Sequence, residues 1–129
     1  MLALVATAAG TFSVDLDSEE VDAAEPFLPP LPPAVNLPRV VAAAAAGSTV
    51  VVAVDARPPI LVSYDSGSTW RESGRGLPPG RAVAAAEADP DTLAYAARNR
   101  LYVSRDGGVF WTALAVELPE IEALDLVEG

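Results

Sequence analysis

The stretch Ser63-Tyr64-Asp65-Ser66-Gly67-Ser68-Thr69-Trp70 decides how the chain is read; its form is S-x-D-x-G-x-T-W. A weaker copy follows at Ser104-Arg105-Asp106-Gly107-Gly108-Val109-Phe110-Trp111, and the two Trp residues lie 41 positions apart. In each copy an Asp precedes Gly. An Asp carboxylate accepts hydrogen bonds from nearby backbone N–H groups, and Gly takes positive φ without strain. Each octet therefore predicts a tight hairpin with its Trp early in the outgoing strand. Trp buries a large apolar area and needs an acceptor for its N–H. It is expected to wedge one repeat against its neighbour.

A period of about 40 residues suits a unit of four antiparallel strands, the size of one β-propeller blade. The flanking sequence fills two such units. The first reads as strands Val40–Ala46, Thr49–Val54, Ile60–Tyr64 and Thr69–Ser73. The second reads as Ala82–Ala88, Thr92–Ala96, Arg100–Ser104 and Val109–Leu114, with Asp89-Pro90-Asp91 as a turn. Upstream, Leu2–Ala6 and Thr11–Val14 read as strands joined by a turn at Ala9-Gly10. Asp15–Glu20 falls where a further octet would sit but has neither Gly nor Trp, so it reads as a degenerate turn.

At the octets the chain resembles the Asp-box, or BNR, repeats of sialidases, sortilin-type propellers and photosystem II assembly factors. The first copy matches at Ser63, Asp65, Gly67, Thr69 and Trp70. The second keeps Ser104, Asp106, Gly108 and Trp111 but has Phe110 where Thr is usual. The resemblance implies an all-β propeller in which the box is a structural turn, remote from catalysis. It also settles an ambiguous segment. Arg39–Ala46 is rich in Ala, the best helix former, yet its repeat partner Arg81–Ala86 precedes a turn and a strand. The resemblance makes both segments innermost strands, beside the propeller axis.

Leu-Pro recurs before each inner strand, at Leu37-Pro38, Leu77-Pro78 and Leu118-Pro119, with the prolines 40 and 41 positions apart. A third repeat thus begins at Glu120 with Ile121–Val127 as its inner strand. Its remaining strands align with the other end of the chain, where Leu2–Ala6 falls on Thr92–Ala96. The expected organisation is one domain over 1–129: N-terminal strands of a split blade (1–20), a Pro-rich connector (21–38), blades at 39–76 and 77–117, and a closing strand in 118–129. Three blades do not close a ring. Two chains would give six, and the expectation is a six-bladed homodimer in which Ile121–Val127 of each copy completes the split blade of the other.

The connector holds six of the twelve prolines, from Pro26 to Pro38. Pro donates no ladder hydrogen bond, so the segment is not a central strand. It reads as an extended, solvated linker. The alternatives are a docking site for an aromatic-lined partner and a connector packed over the blades.

Composition narrows the chemistry. The net charge is −10 and all eight basic residues are Arg, so no basic stripe exists for nucleic acid or an anionic membrane surface. The absence of Cys and His removes thiol nucleophiles, disulfides, thiolate metal sites and imidazole acid–base work. No cofactor or metal is expected. Met1–Ala9 is apolar but lacks a basic flank and reads as a strand rather than a signal peptide, which favours a cytoplasmic location.

No carboxylate pair of the glycosidase kind is recognisable. Glu87 and Asp89 fall in a turn, and Glu122 and Asp125 fall on opposite faces of their strand. The three-Arg cluster and Tyr–Glu pair of the sialidases have no counterpart. The candidate ligand-binding residues are Arg39 and Arg81, at equivalent positions before two inner strands, where an anion or acidic peptide would meet them. Ion pairing to Glu is the bland alternative for both. The function expected is a non-catalytic scaffold or assembly module that binds a protein or peptide. The alternatives are a carbohydrate-binding propeller and a fragment of a glycosidase-type propeller.

Overall fold

The computed structural model describes residues 1–129. It is all-β: twelve strands in three four-stranded antiparallel sheets, with no helix. Accordingly, no helix is long and apolar enough to cross a membrane. The terminal sheet has the order β12-β1-β2-β3, from β1 (Leu2–Thr7), β2 (Gly10–Asp15), β3 (Val21–Ala23) and β12 (Ile121–Val127). The flank sheet runs β4 (Val40–Ala46), β5 (Thr49–Val54), β6 (Ile60–Ser63) and β7 (Arg71–Ser73). The middle sheet runs β8 (Ala82–Ala86), β9 (Asp89–Ala97), β10 (Arg100–Ser104) and β11 (Thr112–Glu117).

Strand β8 packs against both β4 and β12, so the inner strands stand side by side in the order β4, β8, β12. The three sheets form an open arc with the middle sheet at its centre. Two apolar layers hold it. The layer between terminal and middle sheets includes Ala3, Val5, Val14, Ala84, Leu101 and Leu124. The layer between middle and flank sheets includes Val51, Ile60, Val62, Leu93 and Tyr95. Alternation along each strand assigns its two faces, since successive side chains point to opposite sides. In β5 both faces are buried: Val51 and Ala53 face the middle sheet, while Val50, Val52 and Val54 form a third cluster on the outward face. The alanines of β8 are all buried, and their small side chains let neighbouring inner strands crowd together.

The ends of the chain meet in one sheet. Strand β12 pairs antiparallel with β1, with Leu4 opposite Asp125 and Val5 opposite Leu124. This pairing is within a single chain, so the sheet can be completed without the exchange of Ile121–Val127 between two copies. The reason lies in the connector. Between β3 and β4 run residues 24–39, which extended would span roughly 50 Å at about 3.3 Å per residue. That reach carries the chain from the terminal sheet across β8 to β4.

Four local readings are corrected. Val21–Ala23, taken as the start of the connector, forms β3 on the edge of the terminal sheet. Asp89-Pro90-Asp91, expected as a turn, opens β9, where the ladder shifts register between Ala85 and Ala86. Strand β11 starts at Thr112 rather than Val109, because the N–H groups of Val109 and Phe110 are held by Asp106. Trp70 and Trp111 accordingly precede β7 and β11 instead of lying inside them.

Candidate functional site

Each octet folds into a turn organised by its Ser and Asp. In the first, Asp65 Oδ1 accepts from Ser63 Oγ at 2.7 Å and from the Thr69 N–H at 2.8 Å, and Asp65 Oδ2 accepts from Thr69 Oγ1 at 2.6 Å. Ser63 Oγ in turn accepts the Gly67 N–H at 2.8 Å. Gly67 sits at φ 93°, a left-handed backbone that an L side chain rarely adopts. The second turn repeats the pattern. Asp106 Oδ1 accepts from Ser104 Oγ at 2.8 Å and from the N–H groups of Val109 and Phe110 at 3.1 and 3.0 Å. Phe110 lacks a hydroxyl, so Asp106 gains only the backbone bond where Asp65 has both. Asp65 is driven down to about 2, first by the Thr69 hydroxyl and then by the Thr69 N–H. Asp106 is lowered chiefly by the Phe110 N–H. Both carboxylates act as ionised acceptors within the turn, Asp65 through both oxygens and Asp106 through Oδ1 alone.

The degenerate octet builds a cap of its own kind. Asp15 Oδ1 accepts the N–H groups of Asp17 and Ser18 at 2.8 and 3.0 Å, which lowers its pKa, and Glu19 turns the chain at φ 62°.

These turns also tie the sheets together. The hydroxyls of Tyr64 and Ser73, on the flank sheet, donate to the carbonyls of Gly107 and Gly108. Trp111 Nε1 donates to Ser73 Oγ at 2.8 Å, and its ring meets Tyr95 edge-on at 6.2 Å between centroids. On the other side Arg105 donates to Asp17 Oδ1 at 2.9 Å and to the Leu16 carbonyl at 3.3 Å, joining middle to terminal sheet. Trp111 is thus the wedge expected of it. Trp70 holds the same place one repeat earlier but lies on the outward face of the flank sheet, packed on the Val50, Val52 and Val54 cluster. Its indole N–H makes no hydrogen bond within the chain. Sequence reasoning found the Trp pair but missed Tyr64 and Ser73. The only signal for them would have been the need of each indole for an acceptor on the preceding repeat.

One concavity on the arc lies along the inner strands. It encloses about 380 Å³ and is walled by Val41–Ala45, Arg81–Ala85 and Glu122–Asp125, with Pro29–Pro33 of the connector across it. The connector is therefore not simply solvated. Phe27, Pro33, Val35 and Leu37 are half-buried, and Val35 packs on the outward cluster of the flank sheet. Leu28 and Leu31 are 93% and 94% exposed.

The structure separates the two candidate arginines. Arg81 pairs with Glu120 at 3.3 Å, both side chains more than half exposed. Glu120 is the third-repeat counterpart of Arg39 and Arg81, so the mouth of the groove carries both signs of charge. Arg39 makes no ion pair; it is held by its backbone, at φ 60°, with its carbonyl accepting the Asp55 N–H at 2.9 Å. Glu122 and Asp125 both border the groove, contrary to the opposite faces expected. The β1–β12 register shifts between Ala6 and Thr7, which makes Glu122 an extra residue opposite that step and re-aims it. Burial, and then Glu87, raise Asp125 above the usual carboxylate range. Asp, Glu, His and Cys side chains nowhere gather in a group of three or more that could hold a metal. What the groove offers is an apolar, small-residue floor with acidic residues at its edge.

No protein-family model matches the chain, and no curated protein matches it. Among solved structures it is similar to the crystal structure of the GH74 enzyme of Niastella koreensis, at 21% identity and a TM-score of 0.53. The match covers 91% of this chain and 18% of that one. The likeness is one of fold: this arc of sheets resembles under a fifth of a much longer chain.

Proposed function

We propose that the chain is a non-catalytic arc of β-propeller blades built on Asp-box repeats, serving as a scaffold that binds a protein or peptide. Ser63, Asp65, Gly67, Thr69 and Trp70, with Ser104, Asp106, Gly108 and Trp111, are its structural turns. The observation that carries this reading is the placement of chemistry. The carboxylates of the octets serve as turn acceptors, and the groove along the inner strands is floored by Ala and Val. Such a surface suits an extended apolar segment better than a reacting group. Arg81, which borders the groove, and Arg39, free of ion pairs at the equivalent position one repeat earlier, would meet an acidic end of that segment.

Two other readings have specific support. The likeness to part of a GH74 enzyme supports a fragment of a glycosidase-type propeller. The acidic residues beside the groove, Glu122 and Asp125, support a carbohydrate-binding module, since sugar hydroxyls donate to carboxylates. Affinity capture with the chain and its Ala45→Arg variant, which obstructs the groove from an exposed position, separates them. A protein retained by the first and lost from the second supports the scaffold. Binding on a glycan array supports the carbohydrate module, and turnover of a generic glycoside supports the fragment.

A further inference from the structure

The arc has two open ends, and the repeat shows what each is built to meet. Inside the chain, the middle sheet turns the face bearing Leu93, Tyr95 and Trp111 toward the flank sheet, where Ser73 receives the indole. The flank sheet's outward face is the same face one repeat earlier. Its Val50, Val52 and Val54 are already buried within the chain, with Val35 and Trp70 packed on them, so half-buried Trp70, its indole unpartnered, is the aromatic presented at this end. At the far end, the terminal sheet turns Ala3, Val5 and Val14 inward, and its outward face carries Leu2, Leu4 and Ala6, each half-buried. In the repeat this is the counterpart of the face that receives Trp111. One end of the arc is therefore the donor half, and the other the acceptor half, of the joint already present between its own sheets.

The connector adds a second and independent observation. Residues 25–38 make no hydrogen bond to any other part of the chain, backbone or side chain. They lie over the inner strands on the concave side of the arc. From there Leu28 and Leu31 project almost fully exposed. In an extended Pro-rich segment with three residues per turn, positions three apart share a side. The two leucines thus form one exposed apolar ridge, with Leu31 at the border of the inner-strand groove, on the side the arc half encloses.

From these we infer that the partner of this surface is a second copy of the chain. Resting on the propeller reading above, the inference is that two arcs join end to end about a twofold axis. Trp70 of each copy meets the outward face of the other's terminal sheet, and the Leu28–Leu31 ridges meet near the axis. A twofold arrangement of this kind pairs both open ends at once and leaves only the short outer strands as edges. No strand is exchanged. The long connector is what permits this, because it returns each chain to its own β4.

The test is the mass of the 129-residue chain by light scattering over a wide concentration range, beside the variant Leu28→Asp/Leu31→Asp. Both leucines are exposed within one copy, so the substitution leaves the fold of a single arc intact, which far-ultraviolet circular dichroism checks. The expected result is twice the chain mass for the parent and loss of the two-chain species in the variant. A Trp70→Ala variant, in which the joint rather than the axis is weakened, is expected to dissociate at a higher concentration than the parent. A parent of single-chain mass throughout overturns the inference, as does a two-chain species unchanged in the leucine variant. Binding of the single chain to an isolated polyproline-recognising SH3 domain, abolished by the same leucine substitutions, would assign the ridge to a different partner and likewise overturn it. Solution scattering of the leucine variant tells this failure from that of the propeller reading, because a single curved arc survives the first and not the second.

Discussion

Ser73 Oγ accepts a hydrogen bond from Trp111 Nε1 and donates one to the Gly108 carbonyl, so a single buried hydroxyl holds both the wedge and the turn of the next sheet. Replacing it leaves the indole N–H of half-buried Trp111 and the carbonyl of buried Gly108 without partners. Unsatisfied buried groups cost about 1–3 kcal/mol. Ser73→Ala is expected to lower the unfolding free energy by that much, read as a lower urea midpoint with the denaturant slope unchanged. Trp111→Phe should cost more, and the two together less than their sum, because they share one bond.

Gly80 is predicted to tolerate nothing larger. A Cβ there would stand 2.2 Å from the Tyr95 ring. Tyr95 is fully buried and its hydroxyl donates to the Pro78 carbonyl at 2.7 Å, so the ring has nowhere to retreat. Overpacking of this kind costs about 1–3 kcal/mol, and Gly80→Ala should show it in thermal or urea unfolding. Burial, then Tyr102, hold the Tyr95 phenol up at about 12. A raised pKa stabilises the fold below the unfolded value and is lost as pH climbs through the folded one. Stability should therefore fall between pH about 10 and 12, and the fall should be smaller in Tyr95→Phe.

Acid should act through the turns. Asp65, Asp106 and Asp15 are all lowered by hydrogen bonds to their ionised forms. A depressed carboxylate contributes stability that is present above its unfolded value, near 3.8, and is lost as pH falls through its folded one, about 2 for Asp65. Asp125 is raised and works in the opposite sense. The urea midpoint should drop from pH 4 toward 2, and Asp65→Asn should flatten that drop while lowering stability at neutral pH.

The two octets differ at one strained position. Ser66 lies at φ 59°, where the second turn has Gly107 at φ 72°. Left-handed backbone costs an L residue about 1 kcal/mol, part of which a glycine returns through its freer unfolded state. Ser66→Gly should raise stability by a few tenths of a kcal/mol to about 1.

The turns were legible because their geometry is dictated locally, by Ser63 and Asp65 within eight residues. The β11 start was not, because Asp106 holds two N–H groups past the point where Val109 begins to look like a strand. Val21–Ala23 escaped notice because all three residues are exposed and no Trp marks the turn before them. The alignment of the termini showed that Leu2–Thr7 and Ile121–Val127 belong to one sheet. It did not show whose, since pairing within or between copies leaves the same sequence trace; the reach of the connector is what allows the pairing within one copy. Arg81 illustrates the same limit. Its position is visible in the repeat, but its pairing with Glu120 appears only when the inner strands lie side by side.

The account rests on β12 lying against β1 of its own chain, with Leu4 opposite Asp125. The chain has no cysteine, so a Leu4→Cys/Asp125→Cys variant reports that pairing alone. After oxidation, a denaturing non-reducing gel should show single-chain mass with no thiol left to titrate. A covalent dimer would mean that the strand is exchanged between copies, and free thiols would mean that the two ends do not share a sheet.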